Sequence, residues 1–364
     1  MEAVYRALTL AIELYVKLRE KLQRGWASKN SSRIREWKLT AYAFSKSKIG
    51  VAGGIITAVV LVLAVIGPYI AWEPYWDYGV LRDPSLHLRP PCLPPSCSGY
   101  PILGTDELGR DILSLSLYGV RISVVISAIV VLLGAPLGIL LGLVAGYKGG
   151  LIDEVIMRLT DVFIAFPALI LAIAFASALP GRIRGVLEEH EMLTALLSSL
   201  FGLRPQEYGQ LAALLAIWLA LVLVWWPGYA RVVRGAVLSV REQPFVEAAK
   251  LIGLPTSRIL FKHVLPNVIS PVLVMMTFDL ATAALFAASL SFLGLGPQEP
   301  VAELGFLISK AGRYFPERTW HAVFYFGSLL MLIALGWNLL GDALRDILDP
   351  KTRRAVEFEA EEKR

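Results

Sequence analysis

Long runs of apolar residues separated by short polar stretches dominate the pattern of this chain. Six of these runs are long enough to cross about 30 Å of hydrocarbon, which takes roughly 20 helical residues. They are Ile49–Trp72, Ile122–Tyr147, Val162–Leu179, Leu211–Tyr229, Val264–Leu293 and Trp320–Leu340. Because lipid offers the backbone no hydrogen-bonding partners, each run is predicted to be a transmembrane α-helix. The third run is short, and the fifth is long enough to bend or tilt.

Composition agrees with this pattern. The chain has 364 residues, of which 56% are hydrophobic and 18% charged, and its mean hydropathy is +0.60. Soluble domains of this length rarely carry so little charge. The expected fold class is therefore an all-α polytopic membrane protein with six transmembrane helices in the cell membrane.

Lys and Arg residues are distributed unevenly between the links. The segment before span one, the links 2–3 and 4–5, and the C-terminal tail hold 25 of the 35, and the other three links hold 10. Since positive residues stay on the cytoplasmic side, both termini and the 4–5 link are predicted to be cytoplasmic. Membrane lipid is an expected partner of these charges. Nucleic acid is not, because the charges lie beside span ends.

The predicted organisation has five parts. They are a cytoplasmic amphipathic arm (1–48), the first transmembrane helix (49–72), an external segment (73–121), a five-helix core (122–342) with a cytoplasmic loop at 230–263, and a cytoplasmic tail (343–364). In the arm, apolar residues recur at helical spacing. Charged residues interrupt the apolar stretch Val4–Leu18, so no cleavable signal peptide is predicted. This amphipathic helix is expected either to lie on the membrane surface or to pack against a partner subunit.

Two cysteines lie in the predicted external segment. Cys92 and Cys97 stand in "RPPCLPPSCSGY", outside the reach of cytosolic reductants. A disulfide between them is favoured over two free thiols. It requires a tight turn that brings their Cα atoms within about 7 Å of each other.

Catalytic patterns are absent from the sequence. It contains no G-x-x-x-x-G-K-[ST] phosphate loop and no H-E-x-x-H motif. Its four histidines show no metal-ligand spacing; they are His87, His190, His263 and His321. The chain is therefore expected not to be an enzyme and to hold no metal or cofactor of its own.

A short helix is predicted in the cytoplasmic loop, from Phe245 to Ile252. Pro244 suits its first position, and Gly253 suits a left-handed cap that Pro255 follows. Spacings of three and four place four residues on one side: Phe245, Ala248, Ala249 and Ile252. A two-turn helix is marginal alone, and composition leaves two alternatives, a docked partner or lipid headgroups.

The residues of this loop resemble a known family. "EAAKLIG", followed after eleven residues by "LP", is similar to the cytoplasmic EAA loop of membrane subunits in binding-protein-dependent ABC importers. The matching positions are Glu247, Ala248, Ala249, Gly253, Leu265 and Pro266. "KHVLPN", with His263 where many members have Ile, resembles the variant of the dipeptide/oligopeptide subfamily.

Further stretches over roughly residues 37–350 resemble the C-type membrane subunit of that subfamily. They are "GTDELGRD" (104–111), "AFPALILAI" (165–173), "WPGYARVVRG" (226–235), "SLSFLGLG" (289–296) and "NLLGDALRDILDP" (338–350). The external signature comprises Gly104, Thr105, Asp106, Leu108, Gly109, Arg110 and Asp111. The chain departs from the family at Ala287, where a Glu is frequent, and in its longer 3–4 link.

The resemblance implies a type I ABC importer permease architecture and a set of partners. These are a homologous permease subunit, two cytoplasmic ABC ATPase subunits that bind ATP and Mg²⁺, and an external solute-binding protein. Phe245 and the six matching residues would couple the chain to an ATPase. The implied cargo is di- or oligopeptides, with oligosaccharides or a nickel chelate as alternatives.

Asp279 is the one carboxylate deep within a predicted span. Such charges are costly and generally face a cavity or a partner. It is expected to line the pathway, to bond to a neighbouring helix, or to be protonated in place. A self-contained secondary transporter is the competing function, but it would need coupling carboxylates or histidines in several spans.

Four local predictions follow from the residues. Thr105 or Asp106 is expected to cap a helix, and Asp161 beside Arg158 to form a surface ion pair or a cap. Trp225 and Trp226 are expected to anchor the end of span four at the interface. The small residues of Gly134–Gly146 suit close helix packing, within the chain or with a partner.

Overall fold

The computed structural model describes residues 2–81, 83–92, 101–204 and 207–348. In those residues the chain folds into α-helices joined by short links, with two 3₁₀ turns (Gly79–Leu81 and Pro84–Leu86) and one π-helix (Ile259–Val264). The α-helices are α1 (Glu2–Leu22), α2 (Trp26–Lys29), α3 (Ser31–Lys46), α4 (Lys48–Ile70), α5 (Ile112–Lys148), α6 (Gly150–Ala165), α7 (Ala168–Ala178), α8 (Pro180–Glu189), α9 (Glu191–Phe201), α10 (Tyr208–Val240), α11 (Pro244–Leu251), α12 (Thr256–Arg258), α13 (Leu265–Phe292), α14 (Leu304–Gly312) and α15 (Trp320–Leu348). The expected all-α class is confirmed.

Five helical segments among the described residues are long and apolar enough to span a membrane. They are α4, α5, α10, the segment Thr256–Phe292 that joins α12 to α13, and α15. A sixth candidate is the pair α6 and α7, which is bent by 93°. The predicted third span, Val162–Leu179, is thus not one straight helix. Pro167 forces the preceding Phe166 into an extended conformation (φ −87°, ψ 140°), which ends α6.

Two compact units make up the chain, residues 1–58 with 335–364, and residues 59–334. In the first unit α1 and α3 form an antiparallel hairpin. The Tyr5 and Tyr42 rings meet edge to face at 5.6 Å, and Lys38 pairs with Glu13 at 2.9 Å. The start of α4 and the end of α15 also pack closely in this unit.

The second unit is built around α5 and α10. Glycines of α5 lie directly on the α10 backbone, so that a Cβ on Gly142 would stand 2.5 Å from the Ala230 carbonyl oxygen. A Cβ on Gly146 would stand 2.8 Å from the Val237 Cβ. The glycine spacing therefore serves helix packing within the chain, which resolves the two alternatives that the sequence left open.

Trp225 and Trp226 do not lie at a helix end, and their expected place at the membrane interface stays a prediction. The α10 helix continues for fourteen residues beyond Trp226 to Val240. Trp226 is 4% exposed and its ring meets Phe163 of α6 edge to face at 5.5 Å. Both tryptophans therefore lie inside α10, and Pro227, which follows them, does not end the helix.

Gly138→Ala is expected to destabilise the protein by about 1–3 kcal/mol, the usual cost of overpacking. Its Cβ would stand 2.5 Å from the Tyr229 Cβ and closer still to the Trp226 carbonyl oxygen. Thermal unfolding in detergent measures the effect. Gly235→Ala in α10 is the matched control, since nothing lies within 4 Å of its Cβ, and an equal loss in both variants would contradict the packing argument.

Candidate functional site

Helix α11 has the ends that the sequence predicts. Pro244 occupies its first turn, and Gly253 adopts a left-handed conformation (φ +74°) just past its end. The Gly253 N–H donates to the Lys250 carbonyl at 3.0 Å, and the Leu254 N–H donates to the Ala249 carbonyl at 3.2 Å. This pair of bonds is the Schellman motif, which satisfies carbonyls that a helix end leaves free. The predicted helix and its glycine cap are confirmed.

One side of α11 packs against the chain's own core. Val246 and Ala249 are 0% and 3% exposed, and they join a cluster formed by α5, α10 and α13 residues such as Val233 and Val268. The expectation that Ala249 shares an open side with Phe245 is therefore wrong. Its small methyl group lets α11 approach its own core closely.

The opposite side of α11 is exposed. We call it the docking face, and it consists of Phe245, Ala248, Leu251 and Ile252. Its three large side chains are 42%, 88% and 74% exposed. Leu251 was not expected there, although it follows Ala248 by three residues, a spacing that could have identified it. An apolar surface of this kind indicates a contact with another molecule.

Charged residues border the docking face. Glu247 is exposed, and the Lys250 ammonium lies over the Tyr147 ring, 5.5 Å from its centroid. This cation–π contact holds Lys250 toward the end of α5. Glu247 remains the border residue that is open to a partner.

The loop continues into α13 without a helical break. The π-helix Ile259–Val264 joins α12 to α13, and the Asn267 side chain donates to the His263 carbonyl at 2.7 Å. Leu265 is half-buried against the core cluster, whereas Pro266 is exposed in the first turn of α13. Leu265 therefore supports the loop from inside.

Two ion pairs link α6 to α10 ahead of the loop. Arg234 donates to Asp153 through Nε at 3.0 Å and through Nη2 at 2.6 Å. Arg231 pairs with Asp161 at 2.5 Å. The expected ion pair of Asp161 exists, but its partner is Arg231 rather than Arg158. The partner lies 70 residues away in the sequence, so local spacing could not identify it.

Asp279 lies in α13, half-buried beside Tyr229 and Trp225 of α10. Its carboxyl group interacts with the Tyr229 hydroxyl and with the Trp225 side chain. The role of Asp279 in a pathway stays a prediction.

Arg110 occupies the centre of a second candidate region, the "GTDELGRD" stretch. Its side chain is 2% exposed and binds Asp106 through Nε and Nη2 at 2.8 and 2.7 Å. Its Nη1 donates to the carbonyls of Pro300 and Tyr75 at 3.0 and 3.3 Å. One buried guanidinium thus ties together segments that lie 35 and 190 residues away.

The helix cap in this stretch is Asp111, not Thr105 or Asp106. Asp111 accepts from the N–H of Ser114 at 2.8 Å and of Leu113 at 3.3 Å, at the start of α5. Asp106 instead closes a turn by accepting from the backbone of Leu108 and Arg110, both at 2.9 Å. The acceptor must immediately precede the first helical residue, and the helix begins later than the sequence suggested.

The remaining signature residues also shape the backbone. Thr105 is buried, accepting from the Arg89 N–H at 2.9 Å and donating to the Leu86 carbonyl. Gly104 and Gly109 have φ values of +81° and +72°, which other residues rarely adopt. The stretch therefore builds a compact structure ahead of α5.

Lys310 of α14 extends this region. Its ammonium pairs with Glu107 and with Glu299, the latter at 2.5 Å. Burial opposes the charge, but the two carboxylates prevail and raise the pKa of Lys310. Tyr75 donates to Glu207 at 2.6 Å, and burial together with this carboxylate raises the pKa of the Tyr75 hydroxyl. Neither pair was expected, because the partners are far apart in sequence.

Glu303 begins α14 as its cap and is wholly buried. Its Oε2 accepts from the Phe306 N–H at 2.9 Å, whereas its Oε1 has no hydrogen-bond partner. The Ser291 and Ser123 hydroxyls lie beside the carboxyl group. Burial raises the pKa of Glu303, because desolvation disfavours the charged form.

The stability of the protein is therefore expected to fall as pH rises through the raised pKa of Glu303. The folded state favours the neutral acid, so its stabilising effect is complete below the ordinary carboxyl pKa and is lost above the raised one. Glu303→Gln should remove this loss, since the amide oxygen still caps α14. Melting temperature against pH measures it, with exposed Glu317→Gln as the control. An unchanged pH profile in Glu303→Gln would contradict the assignment.

Cys92 is described by the structure, but Cys97 lies outside the described residues. The disulfide between them stays a prediction. In the described part of the chain no three His, Cys, Asp or Glu side chains converge as metal ligands would.

Comparison with known proteins gives two family matches. Residues 138–354 match the model described as "Binding-protein-dependent transport system inner membrane component". Residues 36–91 match "N-terminal TM domain of oligopeptide transport permease C". The two matches cover the described chain from Glu36 in α3 to the end of α15, except for residues 92–137.

Individual relatives extend over most of the chain. It is 33% identical to the dipeptide transport system permease protein DppC of Alkalihalophilus pseudofirmus over 320 residues, 88% of this chain and 91% of that protein. It is 36% identical to the di/tripeptide transport system permease protein DppC of Pseudomonas aeruginosa, over 86% of this chain and 92% of the relative. The oligopeptide transport system permease protein OppC of Bacillus subtilis is 32% identical, over 87% of this chain and 90% of its own length.

Proposed function

We propose a transport function from one premise: this chain belongs to the family of binding-protein-dependent transport system inner membrane components. Members of that family are the membrane subunits of ABC importers, and this chain is such a permease subunit. The cargo is di- or oligopeptides. The observation that carries this assignment is the similarity, over 85–89% of the chain, to permeases named for peptides.

The proposed assembly contains partners that supply what this chain lacks. A homologous permease subunit completes the translocation pathway, two ATPase subunits bind ATP and Mg²⁺, and an external solute-binding protein delivers the peptide. In this assembly the chain spans the membrane six times, with α6 and α7 as one bent span, and has both termini in the cytoplasm.

The docking face of α11 is the proposed contact with an ATPase. Its exposure supports this, since Leu251 and Ile252 are 88% and 74% exposed at the end of an otherwise packed loop. The buried side, with Val246 and Ala249, holds α11 firmly on the core. A force applied to the docking face would therefore act on the spans that carry the loop.

Those spans are α10 and α13. Three residues separate the end of α10 from the start of α11, and the loop continues through the π-helix into α13. The ion pairs of Arg231 and Arg234 join α10 to α6, so a shift of α10 would carry α6 with it. We propose that closure of the ATPases moves these three helices together and opens or closes the pathway, as a two-state element requires.

Uptake into proteoliposomes tests the function. The subunit is reconstituted with its permease partner, both ATPases and the binding protein, and labelled di- and oligopeptides are offered outside. ATP-dependent peptide uptake is the expected result. Uptake of oligosaccharides or a nickel chelate instead would overturn the cargo, and uptake driven by an ion gradient without the ATPases would overturn the mechanism.

A further inference from the structure

Helix α1 has an apolar side that no described residue covers. It is formed by four leucines spaced four residues apart, which places them along one stripe: Leu10, Leu14, Leu18 and Leu22. They are 60%, 62%, 60% and 71% exposed. We call them the leucine stripe.

The leucine stripe is not the side that forms the hairpin. Leu8, Ile12 and Val16 are half-buried on the side of α1 that packs against α3. Polar contacts such as Lys38 with Glu13 lie along the same hairpin. Helix α1 is therefore apolar on two sides, and only one of them is explained by the fold of the arm.

Basic residues surround the stripe. Residues 1–46 contain ten Lys and Arg residues and four Glu residues. On α1, Lys17 and Arg19 stand on either side of Leu18, and Lys21 precedes Leu22 in the last turn. Long basic side chains can lay their methylenes along an apolar surface and keep the charge outside it. The charge and the stripe together match an anionic lipid surface, which offers negative headgroups above an apolar layer.

The arm is also attached directly at the membrane. Helix α3 ends at Lys46 and the apolar helix α4 begins at Lys48, with Ser47 alone between them. A lipid surface is thus close to the hairpin in any assembly that contains this chain. Without a contact to lipid, the leucine stripe would be exposed to water.

We propose that the leucine stripe inserts into the headgroup boundary of anionic lipid and holds the α1–α3 hairpin on the membrane surface. The interaction surface is then a lipid-binding one, formed by Leu10, Leu14, Leu18 and Leu22 with Lys17 and Lys21. It is independent of the cargo and of the ATPase contact at α11.

Photo-crosslinking in the assembled transporter tests the proposal. p-Benzoylphenylalanine is placed at Leu14 or Leu18, and at Ser32 or Thr40 of α3, outside the leucine stripe, as matched controls. The complex is irradiated in vesicles that contain phosphatidylglycerol. Lipid adducts, identified by mass, are expected at the two leucine positions and not at the two α3 positions. Because all four side chains are exposed, the probes leave the hairpin folded.

The charge is tested separately. In Leu14-labelled protein, Lys21→Gln is expected to lower the lipid adduct about fivefold, the effect of one basic residue beside an anionic surface. Vesicles of phosphatidylcholine alone should lower it further. A protein adduct at Leu14, with a permease or an ATPase subunit, would overturn the proposal, as would equal lipid adducts at Leu14 and Thr40. Undiminished adducts in phosphatidylcholine would overturn the role of charge.

Discussion

Ala248→Arg is expected to abolish transport and to leave the subunit folded. Ala248 lies in the middle of the docking face and is exposed, so the chain itself accommodates a long side chain there. A docked ATPase would have to bury the new charge without a partner, which costs several kcal/mol. A loss of roughly 3 kcal/mol or more corresponds to an affinity at least about 100-fold lower.

Co-purification of the ATPases with the tagged subunit measures this loss, together with peptide uptake. Ser257→Arg is the matched control, because Ser257 is exposed in the same loop but lies outside α11. Wild-type recovery of ATPases with Ala248→Arg would contradict the docking face.

Gly253→Val adds a second way to disturb the same helix. A left-handed conformation costs a residue with a Cβ about 1–2 kcal/mol, so the end of α11 should shift and ATPase recovery should fall. The space around Gly253 is open, since nothing lies within 4 Å of the position that a Cβ would take, so backbone strain is the cause. Full recovery would mean that the cap does not set the position of the docking face.

Arg110→Met is expected to destabilise the protein by about 3–5 kcal/mol, the usual cost of breaking a buried ion pair from one side. The substitution removes the bonds to Asp106 and to the carbonyls of Tyr75 and Pro300. Asp106 would be left with an uncompensated charge at 16% exposure of its side chain. The segments before α5 and before α14 would lose their common anchor.

Melting temperature and the yield of folded protein measure this effect. Arg318→Met is the control, because Arg318 is exposed. Arg110→Met combined with Asp106→Asn should recover part of the stability, since the unpaired charge is gone. A melting temperature for Arg110→Met equal to that of the wild type would show that the buried pair contributes nothing to the fold.

Much of the fold could be predicted from the sequence because its signals are local. A run of apolar residues favours lipid over water whatever its distant neighbours are, and all six predicted runs lie largely in helices. The ends of α11 were likewise predictable, because Pro244 and Gly253 act through their own backbone conformations. The glycine spacing in α5 indicated close packing, because a residue without a side chain lets another helix approach its backbone.

Other features depend on neighbours that are distant in sequence. Helical periodicity placed Phe245 and Ala249 together, but only the packing of α11 on the core decided that Ala249 is buried and Leu251 exposed. The spacing of the signature stretch offered Thr105 and Asp106 as caps, whereas the observed start of α5 selected Asp111.

The sequence by itself determined that this is a helical membrane protein, where its apolar segments lie, and which family it resembles, since hydrophobicity and backbone preference belong to each residue. The tertiary structure decided which side of each helix is free and which charges pair. Arg110 and Pro300, or Arg231 and Asp161, meet only after the helices have packed, because a contact across 190 or 70 residues has no local signal. The docking face and the leucine stripe are likewise what packing leaves uncovered.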